Sequence, residues 1–151
     1  MAEKEGIPVT EEVMQQLSDI LAKKSIRAVA EDGEAVRDAW DLAFGQAVPD
    51  RDAVDYDAYH WHLFRFGKLA AKSGGEAREA LNGQHSQRLH LFWERDAGAW
   101  EMRSAFDLDD ADVDAMAAAA GADLYLFDDE GCWTYVLTHE AALGPYFFRW
   151  G

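Results

Sequence analysis

Cysteine is almost absent from this chain. Cys132 stands alone, which excludes an internal disulfide and agrees with a reducing compartment. Long apolar runs are missing as well, since no stretch approaches the roughly 18 residues that span a bilayer. The opening residues MAEKEGIPVTEE have neither the basic start nor the apolar core of a signal peptide, so a cytoplasmic location is expected. Basic residues are the third scarcity: 14 Lys and Arg face 29 Asp and Glu, for a formal net charge of −15. Nucleic-acid binding relies on clustered cations that displace counterions from phosphates. The lone basic doublet, Lys23-Lys24, falls at the end of a predicted helix, where it complements the helix dipole. Nucleic acid and anionic membranes are therefore disfavoured as partners.

What is present is the composition of a globular protein. At 151 residues, with 49% hydrophobic and 13% aromatic side chains, the chain can bury a substantial core, and a single domain over 1–151 is expected. An acidic surface favours fast capture of a basic protein, because complementary fields raise association rates. The competing explanation of the charge is solubility alone.

Periodicity predicts the elements. Thr10 reads as an N-cap, with Val9 and Met14 as a hydrophobic staple; Val13, Leu17, Ile20 and Leu21 then form the apolar stripe of a helix ending near Ser25. SIRAV follows as a short strand. Asp32 and Gly33 open a second helix with the stripe Val36, Trp40, Phe44 and Ala47, stopped by Pro49. Tyr59, Leu63 and Phe66 have helical spacing, and a short helix at about 76–81 lies between Gly74-Gly75 and Asn82-Gly83. The second half changes to strand period. RLHLFWER and AWEMRS form a hairpin around DAG, DLDDADVDAMAAAAG is a capped helix, and DLYLFD and CWTYVLTHE are a second strand pair joined by an acidic turn. The fold class expected is α+β, with a mainly antiparallel sheet of about four to five strands flanked by helices that cover much of both faces.

Sites of chemistry are harder to find. In YDAYHWHLFRFG, His60 and His62 are two residues apart on a predicted helix, hence about 200° from each other, and cannot chelate one ion. His62 is expected to be a buried structural histidine. HEAAL, from His139, begins like a zinc-protease helix but has Leu143 where the second histidine must stand. DLDDADVD lacks the glycine and the bidentate glutamate of a calcium loop. Glu101 to Arg103, with Asp96 upstream, resembles a nuclease carboxylate pair, but arginine replaces the lysine and stays protonated. Cys132 has no flanking base and reads as a small hydrophobe in a strand. No catalytic residue, cofactor or metal is assigned.

The segments YHWHLFRF, EAREALNG, RLHLFWERDAG and DLYLFDDEGCWTYVLTHEAALGPYF resemble those of a bacterial family known as domain of unknown function 4275. The likeness runs from Tyr56 to Phe148. Its most specific elements are Trp61-His62 with Phe64, and the closing run from Trp133-Thr134 through Thr138-His139-Glu140 to Gly144-Pro145-Tyr146-Phe147. Where the family carries a cysteine before Gly-Pro-Tyr, this chain has Leu143, which argues against thiol chemistry there. The resemblance implies a fold and no activity.

Two function classes follow. The first is an acidic binding protein of the immunity or antitoxin kind that masks a basic bacterial toxin such as a nuclease. Its expected contact surface is Asp107, Asp109, Asp110, Asp112, Asp128, Asp129 and Glu130, with Trp100 and Trp133 as exposed anchors. The second is a small enzyme or metal-dependent protein using a polar cluster of His62, His139 and Glu140. Alternation along residues 133–140 predicts one packed face, with Trp133, Tyr135, Leu137 and His139, and one polar face, with Thr134, Val136, Thr138 and Glu140.

Overall fold

A computed structural model describes residues 11–46, 48, 70–93, 98–120, 123–138 and 145–150. Helix α1 spans Glu11–Ala22. It ends in a tight cap: Ser25 takes φ 59°, Ser25 N donates to Ala22 O and Ile26 N to Leu21 O. This is the pattern in which a left-handed residue after the helix satisfies its last carbonyls, and here Ile26 and Leu21 also join one core.

Strand β1 is Arg27–Asp32 and runs straight into α2, Gly33–Trp40, whose N-terminus is capped by the Asp32 carboxylate accepting from Glu34 N. A five-residue π-helical turn, Asp41–Gly45, continues it, closed by the Gln46 N–Asp41 O bond of 2.8 Å. Then come β2 (Lys72–Ser73), α3 (Gly74–Asn82), β3 (Arg88–Trp93), β4 (Gly98–Arg103), α4 (Asp110–Ala120), β5 (Leu124–Asp128), β6 (Trp133–Leu137) and β7 (Tyr146–Arg149). The class is α+β. Among the described residues the sheet has seven strands in the order β1-β4-β3-β5-β6-β7-β2, every neighbouring pair antiparallel. The hairpin β3–β4 and the pair β5–β6 stand where the sequence puts them. The short strands β2 and β7 are additions, too brief to show a period.

Helices cover both faces. On one, Leu89, Leu91, Trp100, Met102, Leu126 and Tyr135 pack against α1, α3 and α4 through Leu17, Leu21, Leu81, Val113 and Met116. On the other, Phe92, Ala99, Tyr125, Phe127 and Val136 meet Val36, Trp40 and Phe44. Trp40 is the pivot of the second layer, with its ring 5.4 Å from both Phe44 and Tyr125.

This double cover corrects the expectation of a polar face on β6. Thr134 is fully buried, because α2 lies above it. Its hydroxyl accepts from Trp40 Nε1 at 2.9 Å and donates to Leu126 O at 2.8 Å. Val136 is fully buried in the same layer. The helix expected around His62 and the residues His139 and Glu140 lie outside the described residues, as does the Thr10 cap.

Candidate functional site

Strand register gathers the charged residues at one end of the sheet. Arg27 of β1 lies opposite Arg103 of β4, which lies opposite Arg88 of β3. Beside them, Leu89 pairs with Asp128 at the end of β5, and Asp129 N donates to Arg88 O. The segment after β4 is held at the same end: Ala105 N donates to Gln87 O, and His85 Nδ1 lies 3.2 Å from Phe106 O. The two acidic stretches of the sequence thus follow strands that finish at the same end of the sheet. The second stretch lines an open cavity of about 450 Å³, formed by Ser86, Gln87, Arg88, Asp128, Asp129 and Glu130.

The carboxylates here have different duties. Asp128 is buried, and its Oδ1 accepts from Cys132 N at 2.6 Å and Trp133 N at 3.1 Å. It forms the turn, and Gly131 at φ 72° lets the turn close. Asp109 and Asp112 form a reciprocal cap on α4, each side chain accepting from the other's backbone N–H. Both also bind Lys24, at 2.9 and 2.8 Å. The Asp112 hydrogen bond, against the cost of burial, raises the Lys24 pKa. Burial pushes Asp109 upward, but its bonds to Lys24 and Asp112 together with the Lys24 charge outweigh that and lower its pKa. Asp110 is held by Arg78 and by two bonds with Asn82. These three aspartates staple α4 to α1 and α3. Asp107 and Glu130 are exposed, and neither carboxylate has an ion pair among the described residues.

Trp100 and Trp133, expected as exposed anchors, are buried at 4% and 1% exposure. Both sit on the sheet face covered by α1, α3 and α4. Two aromatics at this end are exposed among the described residues: Phe106, at 45%, next to Asp107, and Trp150, at 41%, whose N donates to Cys132 O.

A second group of residues was not signalled by any local spacing. His90 points from the middle of β3 with Glu31 Oε2 at 2.8 Å from Nδ1 and Asp129 Oδ1 at 2.7 Å from Nε2. Its ring lies 5.3 Å from that of Phe127. Burial disfavours the charged imidazole, but the bonds to Asp129 and Glu31 prevail and its pKa is raised. Glu101, directly opposite His90, is shared by Arg88 at 3.0 Å and Arg103 at 2.8 Å.

Among the described residues, two sets of donor atoms come close enough to consider a metal: His90, Glu101 and Asp129, and Asp128, Glu130 and Cys132. Their present bonding favours other roles. Each imidazole nitrogen already has a carboxylate oxygen against it, and Glu101 is taken up by two guanidiniums. In the second set Asp128 Oδ1 is bound to backbone N–H groups. The His90 group is best described as an ion-pair clamp joining β1, β3 and the β5–β6 turn.

No curated protein and no solved structure matches the chain. A family model does match, over residues 14–147, so the likeness begins well before Tyr56 and takes in α1, β1 and α2. The chain belongs to the family described as domain of unknown function (DUF4275).

Proposed function

We propose that the protein is an acidic cytoplasmic binding protein of the immunity or antitoxin kind, which masks a basic bacterial protein such as a nuclease toxin. The observation that carries this reading is the acidic turn 128–130 lining an open notch, with Phe106 and Asp107 exposed at the same end of the sheet. Asp107, Asp129 and Glu130 supply negative potential where a lysine or arginine of the partner can enter. Phe106 supplies the apolar anchor that Trp100 and Trp133, being buried, do not. The formal charge of −15 gives the long-range attraction. No helix among the described residues is long and apolar enough to cross a membrane, which agrees with a partner met in solution.

The test is a triple surface variant, Phe106→Ala with Asp107→Lys and Glu130→Lys. None of these side chains holds an ion pair among the described residues, so the fold is expected to persist by circular dichroism. A basic protein retained by the wild type from host lysate is expected to be lost by the variant. Equal retention by both proteins refutes this surface as the contact.

A further inference from the structure

The two edges of the sheet are unlike. At one end of the strand order β2 has two residues, too few to template another strand. At the other, β1 offers six residues, with β4 on one side and, among the described residues, no strand on the other. It contains no proline and no lysine, and its charged residues are of both signs, Arg27 against Glu31 and Asp32, so a suitably aligned strand can match them. Val29, in its middle, is 40% exposed.

We propose that a second copy of this chain pairs with β1, antiparallel, across a two-fold axis centred at Val29, so that the two sheets become continuous. This goes beyond the function proposed above and does not depend on it. The register follows from side-chain alternation. An axis perpendicular to the sheet preserves its faces, so residues placed opposite each other must have numbers of the same parity. Centring at Val29 sets Arg27 opposite Glu31 of the other copy, twice, with Val29 against Val29 on the same face. On the reverse face Ala28 meets Ala30. Centring at Ala30 sets Val29 against Glu31 and leaves Arg27 opposite Gly33. Centring at Ala28 sets Arg27 against Val29. The Val29 register alone among these sets Arg27 against Glu31 and joins Val29 to Val29.

The intrachain electrostatics point the same way. Arg27 lies directly opposite Arg103, an unfavourable cross-strand arrangement. Arg103 is compensated by Glu101, whereas Arg27 has no ion pair among the described residues. Glu31 uses Oε2 for His90, and its second oxygen is available to Arg27 of the other copy.

The test is sedimentation equilibrium of the full chain at concentrations from about 1 µM to about 1 mM, a range that reports affinities down to weak association. A reversible dimer is expected. Arg27→Glu and Glu31→Lys are each expected to weaken it on the order of tenfold, and the double variant to restore it, because the exchanged charges again face each other. Val29→Lys, which puts like charges at the axis, is expected to abolish it. Val29→Cys in a Cys132→Ser background is expected to form an interchain disulfide on mild oxidation, since Cα atoms directly opposite in an antiparallel pair are about 4.5–5.5 Å apart. A wild type that stays monomeric near 1 mM overturns the proposal. So does a dimer that withstands Val29→Lys and fails to cross-link through Val29→Cys, which decides the matter even if a charge variant misfolds.

Discussion

His90 shows why single residues resist reading from sequence. It lies in an ordinary-looking strand, and its two carboxylates are 59 and 39 positions away, so nothing local marks it. Only the strand order brings β1, β3 and the β5–β6 turn together. Trp100 and Trp133 were misjudged for a related reason: a tryptophan on a strand has two faces to choose from, and here helices fill the one it takes. The His90 pKa is raised by folding, so its stabilisation is complete below the unfolded value of 6.5 and is lost as pH rises through the folded value. Urea unfolding of the wild type is therefore expected to show falling stability as pH rises above 6.5, and His90→Gln to flatten that slope. Asp128 gives a second residue-scale expectation. Replacing it with alanine strips the Cys132 and Trp133 amides of their acceptor and should cost about 1–3 kcal/mol in the same assay. Asp128→Asn keeps an oxygen in place and should retain most of the stability.

At the scale of elements, local signals were more reliable. The stripe Val36, Trp40 and Phe44 and the Asp32 cap place α2 correctly, because capping and helical period act within a few residues. The same holds for α4, which Asp109 caps. The fate of its acidic first turn was not legible. Lys24 and Arg78 approach it from the turn after α1 and from α3, so part of the charge that reads as a free acidic face is spent on helix packing. Asp109→Ala should accordingly destabilise the fold by about 1 kcal/mol or more, measured by chemical denaturation. The end of α1 provides the opposite sign. Ser25 holds a left-handed conformation, so Ser25→Gly should raise stability by about 1 kcal/mol and Ser25→Val should lower it.

Over the whole molecule, composition indicated the class and the sign of the surface charge, while the distribution of that charge had to come from the fold. Alternating strands and amphipathic helices made α+β legible, and strands apolar on both faces foretold the double cover. The strand order was not legible, since it is set by contacts distant in the chain, and without it the acidic notch could not be located. If that notch captures a basic protein, attraction acts through screened long-range fields and contact acts at short range. The most direct measurement is the association and dissociation rate of the protein captured from host lysate, taken at low and at physiological salt, for the wild type and for the Phe106→Ala, Asp107→Lys, Glu130→Lys variant. The expected result is an association rate that falls on the order of tenfold with salt and again in the variant, with wild-type dissociation changing much less with salt. An association rate indifferent to both salt and the substitutions would contradict the proposal and leave the acidic surface with solubility as its role.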